Sequence, residues 1–153
     1  MPEQNRTAIP QDGLNNSMFR LGYRTDVNVD QDETRTSDPA WCFSLATSDT
    51  DQADDTTACT TEYLAPGVWT HLVGIADPIH NEIRLYVNGT PAFGGAVAAT
   101  SGTALWPSTG SFAIARALTS GGPSERWLGD LDEVHTVPRV WGEIEIAQMA
   151  LPL

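Results

Sequence analysis

Positive charge is scarce in this chain: 8 basic residues stand against 20 acidic ones, for a net charge of −12. A surface this negative repels phosphate backbones and anionic lipid headgroups, so neither nucleic acid nor a membrane surface is an expected partner. No apolar run approaches the length needed to cross a bilayer, so no membrane insertion is expected. The opening MPEQNRT has neither a basic region nor an apolar one, and no signal peptide is expected in this chain. Also missing are a G-x-S-x-G elbow, a phosphate-cradling glycine loop and a catalytic Cys–His signature. Neither an internal repeat nor a domain linker interrupts the 153 residues, a length suited to one domain with its own core.

Cysteine is nearly absent as well. Cys42 in AWCFSLA and Cys59 in TTACTTE each sit in or beside a strand-like run, with an acidic polar loop between them. Neither has a Cys or His partner at metal-ligand spacing. Two readings stay open: a disulfide between neighbouring strands, or two buried thiols. The disulfide is favoured, and with it an oxidising, extracellular or cell-surface setting.

What the chain does have is alternation. Short strand-like runs recur between Gly, Pro, Asn and Asp: Ser17–Tyr23, Trp41–Ala46, Trp69–Ala76, Glu82–Asn88, Ser111–Arg116 and Trp127–Val137. Such spacing predicts an all-β antiparallel sandwich. Within WTHLVGIADPIHNEIRLYVNG, Asp77–Asn81 marks one reversal and Asn88-Gly89 a second, since both centres of a type I′ turn need positive φ. Residues 94–110 are small and Gly/Ser/Thr-rich, which reads as loop with one short strand at most. Gly142–Met149 opens with acidic residues and predicts a short C-terminal helix.

These motifs resemble the laminin-G-like, concanavalin A-type jelly-roll domains. The Trp69–Gly89 stretch is similar to that family's "W-x-H-x-x-G-x-x-D" strand followed by "R-L-Y-V-N-G". Gln11-Asp12-Gly13 with SMFRLGY is similar to "q-G-x-x-x-G-F-x-L-x-Y", and Phe112–Arg116 to "F-x-I-G", with Ala115 in place of Gly. Trp127–Val134 resembles "F-x-G-x-I-D-E-V", and GEIEIAQM the turn after it. Trp41-Cys42-Phe43 and Ala58-Cys59 resemble the cysteine-bearing strands of a bacterial, actinobacterial-type subgroup. The family begins several strands before the position matched by Gln11. The expectation is therefore a jelly roll over residues 1–153 lacking N-terminal strands, with residues 1–10 flexible and a partner chain or second copy completing the sheets.

The resemblance implies carbohydrate or protein ligands, sometimes with calcium. It makes Asp132 a candidate calcium ligand, because the family's acidic pair lies near a rim site. If 127–137 is a strand, Asp132 and Glu133 point to opposite faces, so further oxygens must converge from elsewhere. Asp26 and Asp30 are the other cation candidates. Oxygen side chains alternate from Asp26 onward as at the start of an EF-hand loop, but Gln31 stands where glycine is needed and Ser37 where a bidentate Glu belongs. That leaves a looser cation loop or a merely solvated one.

For a ligand, the resource is aromatic. Trp69 and Trp127 occupy positions the family uses for core packing. Trp106, in a Gly/Ser/Thr-rich loop, is either exposed to stack on a sugar or folded over the sandwich edge. Tyr23 and Trp141 are further ligand-binding candidates. Laminarinase-type glycosidases share the jelly roll but use an E-x-D-x-x-E strand. Asp130–His135 places His135 where the last Glu belongs, so the expectation is no enzyme. The reading is a non-catalytic binding module of a secreted or cell-surface protein. An assembly element pairing through open sheet edges and a degenerate glycosidase are the alternatives.

Overall fold

The structure, a computed structural model, describes residues 4–25, 39–61, 64–98 and 105–151. It is built almost wholly of antiparallel strands, as the alternation predicted. One sheet has four strands in sequential order: β1 (Arg6–Asp12), β2 (Ser17–Arg24), β3 (Ala40–Ala46) and β4 (Asp55–Cys59). A second sheet is the meander β5 (Leu72–Asp77), β6 (Glu82–Val87), β7 (Thr90–Ala98). A small hairpin, β8 (Ala117–Thr119) and β9 (Gly122–Ser124), and the helix α1 (Glu143–Met149) complete it.

The two larger sheets close on one core. Successive side chains of a strand point to opposite faces, so Leu21, Phe43, Leu45 and Ala58 of the first sheet meet Ile83 and Leu85 of the second. Burying each large apolar side chain is worth about 1.5–3 kcal/mol, which makes this contact the main stabilising term. Phe43 lies directly over Gly74, whose missing side chain makes room for the ring. On the far side of the second sheet, Ile75 of β5 and Tyr86 of β6 pack with the fully buried Ile146 of α1 and with Trp141.

Both expected reversals are present. Asp77 ends β5 with a buried carboxylate that accepts the N–H groups of Ile79 and His80, each at 3.1 Å. Asn88 and Gly89 carry φ of 50° and 80°. Helix α1 forms where the acidic opening predicted it. Glu145 reaches back to the Gly142 N–H at 2.9 Å and holds Arg139 at 2.7 Å. These contacts, the guanidinium first, pull its pKa from the usual 4.5 to about 2. Because the folded value lies below the unfolded one, this contribution is present above about pH 4.5 and is lost as pH falls toward about 2. The stability difference between wild type and Glu145→Gln, measured by urea unfolding, is expected to shrink across that window. A difference that stays constant through it would remove the assigned role.

Five expectations are corrected. Residues 6–10, expected in a flexible lead-in, are the body of β1, because their backbone pairs with β2 from Arg6 opposite Tyr23 onward. Trp69 is 69% exposed and not in the core, because contact with the β6 end starts only at His71, whose carbonyl accepts the Asn88 N–H and whose N–H donates to the Asn88 side-chain Oδ1. Residues 127–137 do not form a strand. Beyond Trp127 N–H to Ala115 the segment has no ladder partner among the described residues, and the Asp132 carboxylate caps the Glu133 N–H with Glu133 at φ 49°. Residues 111–116 are not a regular strand either. Their backbone follows the free edge of β1, with Ala113 N–H bonded to Pro10 and Ala115 N–H to Ala8. Gly94–Ala98, expected in a loop, belong to β7.

Candidate binding site

At one end of the four-stranded sheet the register aligns Arg6 with Tyr23 and Tyr23 with Trp41. Three rings join there. Tyr23 and Trp41 meet edge to face at 6.2 Å, and Trp41 and Trp127 stack at 6.1 Å with planes 25° apart. Tyr23 is buried, which pushes its phenol pKa up. Both tryptophans are half-buried. The Trp127 ring nitrogen is enclosed without a hydrogen-bond partner among the described residues.

Trp127 is delivered by the chain leaving β9. Thr7 N–H donates to the Glu125 carbonyl at 2.9 Å, and Arg6 Nη1 donates to the Arg126 carbonyl at 2.8 Å. The hairpin is anchored further along: Arg116 pairs with Asp12 at 2.7 Å and Leu118 N–H donates to the Ser17 hydroxyl at 2.8 Å. A polar cleft of about 370 Å³ opens between the start of β1 and the end of β9, lined by Gln4, Asn5, Arg6, Ser124, Glu125 and Arg126.

The outward face of the same sheet carries a charge lattice. Arg20 is ion-paired to Asp55, and Arg24 lies 3.9 Å from Asp55. Both arginines approach Glu125 at 3.8 Å, while Thr7 Oγ1 donates to Glu125 Oε2 at 2.6 Å. Burial nevertheless pushes the Asp55 carboxyl up, outweighing the two guanidiniums.

Of the ligand-binding residues expected from sequence, Tyr23 alone belongs to this row. Trp106 is half-buried, its ring nitrogen donating to the Ala46 carbonyl at 2.9 Å, so it folds over the sandwich edge at the opposite end of β3 from Trp41. Trp141 lies on the far face of the second sheet, beneath the Arg139 guanidinium at 5.8 Å. The structure therefore does not bring the three together. Sequence reasoning missed Trp41, Arg6 and Arg126. For Trp41 the signal existed, since it follows Tyr23 at the same end of an adjacent strand.

Calcium fits the described carboxylates poorly. The ion needs six to eight oxygens, and among the described residues no three Asp, Glu, His or Cys side chains converge. The exposed Asp132 spends one oxygen on the Glu133 N–H. Asp26 and Asp30 lie outside the described residues. The cysteine pair is settled: Cys42 and Cys59 stand directly opposite on β3 and β4 and form a disulfide, with Cα atoms 4.2 Å apart.

Residues 6–147 match the Concanavalin A-like lectin/glucanases superfamily, and the chain belongs to it. Among solved structures it is similar to part of an S-layer domain-containing protein from Clostridium thermocellum, at 17% identity and a TM-score of 0.45. That match covers 99% of this chain and 66% of the other, so the chain spans less than two thirds of its neighbour's length. No curated protein matches.

Proposed function

We propose that the chain is a non-catalytic binding module of a secreted or cell-surface protein that recognises a carbohydrate ligand. The observation that carries this reading is the stacked, half-buried Trp41–Trp127 pair beside a polar cleft at one end of the sheet. Sugars pack their CH faces on aromatic rings and spend their hydroxyls on amides and carboxylates, and this end offers both. The superfamily includes lectins, which supports the reading. The disulfide supports an oxidising compartment.

Catalysis is disfavoured on physical grounds. A retaining or inverting glycosidase needs one carboxyl free to protonate the leaving oxygen. Asp55 and Glu125, which share the sheet face, are both engaged by Arg20 and Arg24. Asp130, Asp132 and Glu133 are exposed on an irregular segment.

Glycan-array binding is expected for the wild type and is expected to drop about tenfold or more for Trp127→Ala, the scale of losing one aromatic anchor. Retained binding in that variant would sink the assignment of this end. Calcium enters the proposal through the family likeness alone. A cofactor that binds the native state must raise the melting midpoint, so a midpoint unmoved by chelator removes it.

A second reading, an assembly element that binds protein, rests on exposed apolar side chains: Leu128 at 72%, Ile144 at 76% and Leu151 at 68%. Silence across glycans together with a stable dimer in sedimentation would favour it.

A further inference from the structure

Seven arginines fall among the described residues, and five are neutralised by carboxylates: Arg20, Arg24, Arg84, Arg116 and Arg139. The other two, Arg6 and Arg126, have no carboxylate partner among the described residues, and they line the same cleft. Arg6 spends one nitrogen on the Arg126 carbonyl, and its Nε is enclosed without a partner among the described residues. The Arg126 side chain is exposed and unpaired among the described residues. The lining carboxylate, Glu125, does not quench them, because Thr7, Arg20 and Arg24 already engage its oxygens. A guanidinium left without a carboxylate still offers a planar fork matched to an oxyanion, and two of them line this one cleft.

From this geometry we infer that the cleft takes an acidic saccharide, its anionic group drawn by Arg6 and Arg126 and its hydroxyls facing the polar lining of Gln4, Asn5 and Ser124. A cleft of about 370 Å³ suits a ligand of one or two sugar rings. The overall negative charge does not forbid it. Beyond a Debye length of about 8 Å at physiological salt, distant carboxylates are screened and the local pair decides. The inference rests on the glycan-binding reading but on different residues, and the two can fail separately.

The test is calorimetric titration of the whole chain with a galacturonate oligosaccharide, its neutral galactose counterpart, a sulfated oligosaccharide and inorganic sulfate. The acidic oligosaccharides are expected to bind about tenfold or more tightly than the neutral one, and Arg126→Ala to lose about tenfold without a change in melting midpoint. Arg139→Gln, which removes the same charge far from the cleft, is expected to leave binding unchanged. The stronger of the carboxylated and sulfated ligands identifies the anion. Equal binding of acidic and neutral sugars, an unaffected Arg126→Ala, or an equal loss in Arg139→Gln would overturn the inference. Sulfate alone binding as tightly as the oligosaccharides would mean an adventitious ion only, and would overturn it too. If neutral glycans bind through Trp127 while acidity adds nothing, only this inference falls; if no glycan binds, both do.

Discussion

Replacing Gly22 by alanine is expected to cost about 3 kcal/mol or more, at the upper end of what overpacking a core does. The reason is local and rigid. A Cβ at position 22 would overlap the Arg6 carbonyl oxygen and come within 2.9 Å of the Thr7 Cα. Both are backbone, so neither can swing aside as a side-chain tip would. The irregular step between Thr7 and Ile9 in the β1–β2 ladder presses the chain against this glycine. Gly22→Ala should therefore loosen β1 and carry Arg6 away from the cleft, so that amide exchange at residues 6–12 accelerates. Gly122→Ala is the control: its Cβ would meet nothing nearer than 3.8 Å, and its unfolding free energy should move by less than about 0.5 kcal/mol. Equal effects of the two substitutions would refute the argument.

Breaking the Cys42–Cys59 bond, by reduction or by alanine at both positions, should lower stability by about 3 kcal/mol, the loop-closure term for a separation of this size. For a domain of this length that is a fall of about 6–12 °C in Tm. The loss should concentrate in β4, which has a ladder partner only in β3 within its sheet. Asp55, at the start of that strand, holds Arg20 and Arg24 in place. Protection against amide exchange at residues 55–59 is expected to fall first. A double-alanine variant as stable as the wild type would show that the sandwich core alone fixes the strand.

How much of this was legible in the amino-acid order depends on the range of each interaction. Asn88-Gly89 specifies its turn through two adjacent φ angles, and the strand before it forms as expected, while the strand after it runs on through the glycines at 94 and 95. Helix α1 is likewise announced by Glu143 and Glu145 within its own first turn. Alternation, by contrast, says that a segment suits a ladder, not that a ladder partner exists. Residues 127–137 alternate well, yet they stay irregular for want of a neighbouring strand. Trp69 fits a family packing position, but it lies three residues before β5 begins and is left in solvent. The arginine cleft was invisible for the same reason in stronger form: Arg6 and Arg126 are 120 residues apart, and nothing near either one announces the other. Scarcity of positive charge was plain at once, but which cations would be left without an acid depended on tertiary neighbours.

The outer edge of β1 carries one more consequence. Its backbone is satisfied on one side by β2 and on the other by residues 111–115, with Thr7 bonded to Glu125. The first strand therefore waits for a stretch that is made about a hundred residues later. β1 and β2 can pair early, but the seam cannot close until the chain beyond Glu125 has emerged. Sandwiches that depend on such distant pairing fold in roughly milliseconds to seconds. During that interval the β1 edge is open to pairing with another strand. In this architecture the time between synthesis of Arg6 and of Arg126 is a period of vulnerability, and the end of the sheet that carries the stacked tryptophans closes late.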